Sequence, residues 1–227
     1  MRTAGLLLAL GAAGCASTPP AIGEPGAQVP DRRAEAQYRA VLERVSDHRE
    51  VYDGLDTRLF AAATYQSVEF REARVRRQAQ FQTWPEPKLD QALVRERAEA
   101  AQAHDVVLGV NIVDRRFDDL DSKGTIWRIS LVTDQGEVTP IEVRRVGRAN
   151  ADMRAYYPYL GDFWTMYTVR FPLGVAGRPL VGPETRTLAF RLSSTQGQVE
   201  MHFPATSMTA QASGEATPVA PAPPKNP

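Results

Sequence analysis

The stretch His104–Val113, HDVVLGVNIV, constrains the fold more than any other part of the chain. Val106, Leu108, Val110 and Ile112 share one face of an alternating repeat, while Val107, Gly109, Asn111 and Val113 share the other. One face is wholly apolar and the other partly so, which predicts a strand in the middle of a sheet. From there to residue 203 the chain continues as short alternating runs separated by turn residues. Thr125, Trp127, Ile129, Leu131 and Thr133 line one face of the next run, and Asp134-Gln135-Gly136 turns it. Glu137–Val146 returns, with Pro140 disturbing regular pairing. Phe163–Phe171 alternates again. After a Gly- and Pro-rich loop, Arg186–Leu192 and Gln198–Phe203 form a last pair. Residues 56–63, with Thr57, Leu59, Ala61 and Ala63 on one face, supply a further candidate strand.

Helices do not alternate with these strands, which argues against a parallel α/β sheet. The predicted fold is mainly β: an antiparallel β-sandwich, immunoglobulin-like in the broad sense, with Trp127 as a large central ring. The paired cysteines of antibody domains are missing. A small α+β sheet covered by a helical hairpin is the alternative. Asp31 caps a predicted N-terminal helix over 31–46, with Ala34, Tyr38, Val41, Leu42 and Val45 as its apolar stripe. A second helix is predicted over 64–84, stopped by Pro85-Glu86-Pro87, and a third over 88–103. These two form a helical insertion, about 64–103, in a single domain spanning 31–204. Residues 205–227, rich in Pro and Ala, read as a disordered tail.

The amino terminus, MRTAGLLLALGAAGC, carries one positive charge at Arg2, an apolar run from Leu6 to Ala13, and then the chain's only cysteine, Cys15. The run is far shorter than the ~20 apolar residues of a membrane-spanning helix. Ala12-Ala13-Gly14-Cys15 resembles the cleavage site of a bacterial lipoprotein signal. That resemblance covers only the leader. It implies a signal peptide over 1–14, a lipid on Cys15, and residues 15–30 as a Pro- and Gly-rich tether. In that class an aspartate directly after the cysteine favours inner-membrane retention. Ala16 and Ser17 stand there instead, which implies the outer membrane, facing the periplasm or the surface.

Several chemistries are disfavoured. A lone cysteine allows no internal disulfide and no thiolate cluster. Lys plus Arg equals Asp plus Glu, 27 each, so no net field draws nucleic acid. His48, His104 and His202 show neither metal-ligand spacing nor a GxSxG partner. His48 is read near the end of the first helix, His104 as a junction histidine beside Asp105, and His202 as solvent-facing. Asp114, Asp118, Asp119 and Asp121 lack the EF-hand pattern and read as a solvated turn. Arg71, Arg74, Arg76 and Arg77 read as a solvated helix face. No cofactor, metal site or catalytic residue is therefore predicted.

The best candidate for recognition is the loop Tyr156-Tyr157-Pro158-Tyr159-Leu160 with Trp164 beyond it. Tyr156, Tyr157, Tyr159 and Trp164 offer apolar area with polar tips, and Arg148 and Arg154 add anion contacts. Packing at the end of the sandwich is the competing role for these rings. The functional expectation is a lipid-anchored envelope protein that binds or scaffolds another envelope component, protein or glycan. Two alternatives stay open: an envelope hydrolase using carboxylates or His104, and a purely structural lipoprotein.

Overall fold

Period-two alternation places Val106, Leu108, Val110 and Ile112 of one strand on the same buried face, and the rest of the domain is assembled on both sides of it. A computed structural model describes residues 31–182 and 184–204; the leader, Cys15 and the tail lie outside the described residues. In chain order the elements are α1 (Arg32–Arg44), β1 (Ser46–Asp53), β2 (Asp56–Tyr65), α2 (Val68–Phe81), α3 (Glu86–Ala100) and β3 (His104–Ile112). Then come a 3-10 turn (Arg115–Phe117), β4 (Arg128–Thr133), β5 (Gly136–Val138), β6 (Glu142–Arg148), α4 (Ala151–Tyr156) and β7 (Thr165–Phe171). The chain closes with β8 (Gly174–Val175), β9 (Arg178–Pro179), β10 (Leu188–Ser194) and β11 (Gly197–Phe203).

The fold is mainly β, and the strand pairs are antiparallel. One sheet has the order β1-β2-β3-β7-β6 and the other β11-β10-β4-β5, and neither closes into a barrel. Their facing residues share one core: Leu59, Leu108, Tyr167 and Phe171 from the first meet Leu131, Phe190 and Met201 from the second. Trp127 belongs to this core, and its indole N–H donates to the Phe117 carbonyl at 2.8 Å. Full burial of a ring such as Phe190 contributes about 1.5–3 kcal/mol.

The opposite face of the five-stranded sheet carries a second core. Val107 and Met166 pack there against Tyr38 and Leu42 of α1 and Phe70 of α2. This helical layer explains why the second face of β3 is partly apolar. Asp31 caps α1 by accepting from Arg33 N and Ala34 N, and the Ser67 hydroxyl caps α2 by accepting from Phe70 N. The pair α2–α3 interrupts the connection between β2 and β3, which are antiparallel neighbours.

Three local expectations are corrected. The first helix ends at Arg44, and His48 lies on β1, an edge strand whose only aliphatic residue is Val51. With so little apolar alternation, β1 is held by pairing with β2 through a turn at Gly54, whose φ of +62° suits glycine. The helix predicted from 64 begins at Val68, because β2 continues to Tyr65. The predicted return strand over 137–146 is two strands: β5 pairs with β4, whereas β6 pairs with β7 in the other sheet. Pro140, without an N–H to pair, falls where the chain changes sheets.

Candidate functional site

Between β6 and β7 the chain crosses the helix-covered face of the five-stranded sheet. Asn150 starts α4, its side-chain oxygen accepting from Met153 N at 2.8 Å. The tyrosines that follow turn inward. Tyr156 and Tyr157 are buried, and the Tyr156 carbonyl accepts from the Tyr38 hydroxyl at 2.6 Å. Tyr157 donates to the Gln66 side chain at 3.2 Å, and the half-buried Tyr159 shares a 2.6 Å hydrogen bond with Thr64. Burial pushes all three hydroxyls above their ordinary pKa, so they remain neutral. This loop is attached to the sheet through Gly109: a Cβ there would lie 2.3 Å from Leu160 Cδ2 and 3.1 Å from Trp164 Cε3.

Tyr156, Tyr157 and Tyr159 thus hold the loop to the protein and present little surface. Arg154 pairs with Asp162. Trp164 differs. It is half-buried over Gly109 and lies 6.5 Å from Phe60, with ring planes 28° apart. Phe60 meets Tyr52 edge-on, also at 6.5 Å. A row of three rings therefore crosses the sheet face beyond the helices. Tyr52 is 55% exposed, and Phe163, next to Trp164 in the chain, is 67% exposed. Charged groups surround the row: Glu50 accepts from the Tyr52 hydroxyl, and Arg58 pairs with Asp53. Sequence reasoning missed Tyr52 and Phe60, because they meet only once β1 is known to pair with β2.

Arg148 faces elsewhere. It is in register with Thr165, and Arg145 is in register with Tyr167. Arg148, Thr165 and Arg145, with Arg115 and Asp118, line a concavity of about 450 Å³ beside β6. Asp118, read as part of a solvated turn, is only 7% exposed. Its carboxylate accepts from Tyr167 at 2.9 Å, Thr165 at 2.6 Å, Arg145 at 3.1 Å and Arg115 at 3.4 Å. Burial, then the hydrogen bond to Asp118 and its charge, hold the Tyr167 hydroxyl well above its ordinary pKa, so it acts as a donor to the carboxylate. Arg115 also donates to the Phe163 carbonyl at 3.1 Å, which joins this bowl to the end of the aromatic row.

The arginines of α2 are likewise corrected. Arg71 is 4% exposed and binds Glu96 and Asp105, and Arg74 binds Glu96 at 2.9 Å. Arg170 reaches Asp105 at 2.9 Å. Arg77 pairs with Glu35 and lies 4.5 Å from the Tyr38 ring centre. Only Arg76 of the four keeps a mostly solvated side chain. The reason is that α2 sits among α1, α3 and the loop before β7, so most of its circumference is covered. Arg71 and Arg74 border a cleft of about 410 Å³ that Glu99, Asp105 and Arg170 also line.

His104 is enclosed beside the core. Its Nδ1 lies 2.9 Å from the Tyr65 hydroxyl, so its hydrogen bond is to β2 and not to its sequence neighbour Asp105. Burial lowers its pKa, an effect partly opposed by the Leu173 backbone and Asp105. His202 is exposed on β11. Among the described residues no group of three or more His, Cys, Asp or Glu side chains is placed to hold a metal ion.

No family model matches the chain, and no curated protein matches it. A solved structure from Burkholderia pseudomallei K96243, described as a novel protein of unknown function, is similar at 15% identity. The similarity covers 80% of this chain and 90% of that one, with a TM-score of 0.41.

Proposed function

We propose that this chain is a lipid-anchored envelope protein that binds another envelope protein through the row Tyr52–Phe60–Trp164. The observation that carries this reading is the row itself: three neighbouring rings, extended by the exposed Phe163, on a sheet face that the helices leave uncovered. Aromatic side chains at the centre of a patch with charged groups at its rim are the usual anatomy of a protein interface. The Arg58–Asp53 and Arg154–Asp162 pairs supply such a rim. In this reading the two facing sheets are a β-sandwich, immunoglobulin-like in the broad sense, acting as a rigid support for the patch. Cys15 carries the lipid, residues 16–30 give reach, and the outer membrane is the site of action. Among the described residues no helix is long and apolar enough to cross a membrane, so attachment in this proposal rests on the lipid.

The test is in-cell photo-crosslinking of the full chain from position 163. The expected product is one discrete protein adduct, lost in Trp164→Ala and Phe60→Ala and diminished when Cys15→Ser releases the chain from the membrane. An adduct to glycan alone, or one indifferent to both ring substitutions, overturns the reading. Metabolic labelling with a fatty acid tests the anchor separately, with label expected on the chain and absent from Cys15→Ser.

A further inference from the structure

We infer that the bowl beside β6 is a phosphate-binding site, taking inorganic phosphate or the phosphomonoester of a lipid headgroup. Arg115, Arg145 and Arg148 line the concavity with a single carboxylate, Asp118, leaving a surplus of two positive charges. Arginine stays protonated at every physiological pH, so the surplus is permanent. A phosphate monoester, whose second ionisation lies near about pH 6, is a dianion at neutral pH and matches that surplus. A monocarboxylate neutralises half of it.

Donor supply supports the same conclusion. Asp118 is buried and receives hydrogen bonds from Tyr167, Thr165, Arg145 and Arg115, so its oxygens are already satisfied. Its role is to hold two of the arginines in place. Arg145 spends Nη1 on the Asp118 carbonyl and the Tyr167 hydroxyl, and one Nη2 hydrogen on the Asp118 carboxylate. Two of the five guanidinium hydrogens then remain for a ligand. Arg115 gives one bond to Asp118 and one to the Phe163 carbonyl, and so retains more. Arg148 is exposed, and its side chain has no hydrogen bond or ion pair with any of the described residues. A carboxylate that orients two guanidinium groups while a third projects unpaired favours planar, multidentate oxyanion recognition. The concavity also exceeds a single ion, leaving space for the substituent of a phosphomonoester. This inference does not depend on the aromatic row or its partner.

The experiment is calorimetric titration of the full chain at neutral pH and low salt with inorganic phosphate, and in parallel with acetate. Phosphate is expected to bind, with affinity falling as salt rises because the site is open to solvent. Arg148→Gln and Arg115→Gln are each expected to weaken it by about tenfold, one charge-assisted hydrogen-bonding group being removed. Arg191→Gln, whose guanidinium pairs with Glu137 and Glu200 on the other sheet, is expected to leave it unchanged. Circular dichroism of each variant reports folding. Co-sedimentation with phosphatidylcholine vesicles, with and without phosphatidic acid, separates the sources. Headgroup binding gives phosphatidic-acid-dependent sedimentation that inorganic phosphate displaces; free-phosphate binding gives calorimetric heat without sedimentation. Absence of both signals overturns the inference, as does acetate binding as tightly as phosphate, or a folded Arg148→Gln that binds phosphate like the unaltered chain.

Discussion

Two arginine clusters in this protein have similar side chains and opposite consequences. Under α2, Arg71 and Arg74 meet Glu96, and Arg71 shares Asp105 with Arg170. In the bowl, Arg115 and Arg145 pair with Asp118, the single carboxylate of its lining, and Arg148 makes no ion pair with any described residue. The first cluster is closed by carboxylates from α3 and β3, and Arg71 in it is almost wholly withdrawn from water. The second lies at an open sheet edge and keeps a cation without a partner among the described residues. Arginine count therefore says little about binding; the number of carboxylates that neighbouring elements bring to the same place decides whether a cluster is cement or a site.

The sharpest way to break this contrast is Arg71→Met. It leaves the buried Glu96 with Arg74 alone and Asp105 with Arg170 alone. The expected loss is about 3–5 kcal/mol, read by chemical denaturation. A loss below about 1 kcal/mol, as for an exposed ion pair, would show that the α2 cluster is a surface feature after all. Asp118→Ala comes next. It removes the one acceptor shared by Tyr167, Thr165 and Arg145, and an expected cost of about 1–3 kcal/mol follows from leaving buried donors unsatisfied. Unlike Arg71→Met, it should also alter phosphate binding.

His104 sharpens the comparison from a third side, as a buried base bonded to a phenol and not to an acid. Its pKa is lowered in the fold, chiefly by burial, so folding favours the neutral ring. The resulting stability is present above the unfolded pKa of about 6.5 and is lost as pH falls through the depressed folded value. Denaturation midpoints measured from neutral to acid pH should therefore fall, and His104→Gln should flatten that part of the profile. The smallest expected effect on stability is that of Arg148→Gln, within about 0.5 kcal/mol, because the exposed guanidinium has no partner to lose among the described residues. Thermal unfolding at matched low salt checks it, and a large loss would place Arg148 in the structural class with Arg71.

Much of the β architecture was legible. The stretches at 104–112, 165–171, 188–194 and 197–203 form strands where apolar residues alternate. β1 escaped notice because charged and polar residues occupy nearly every position, and its strand character comes from its partner. That omission hid Tyr52, and with it the row that Phe60 and Trp164 complete. The tyrosine-rich loop was legible as a special segment, but its orientation was not. Partners far away in sequence hold this segment inward: Tyr38 donates to the Tyr156 carbonyl, and the Tyr157 hydroxyl donates to Gln66. Nothing local distinguishes Asp118 from Asp119 or Asp121; only the arrival of Tyr167, Thr165 and Arg145 does so.

By itself the sequence determined that this chain pairs strands antiparallel, because alternation and turn chemistry act over a few neighbouring residues. It also determined which residue types were available for chemistry, with arginine plentiful, cysteine single and histidine sparse. Tertiary structure alone decided which charges were matched, which rings remained uncovered, and where Pro140 let the chain pass between sheets. Those outcomes depend on groups separated by tens of residues reaching the same few ångströms, where burial and hydrogen bonding give identical side chains different energies.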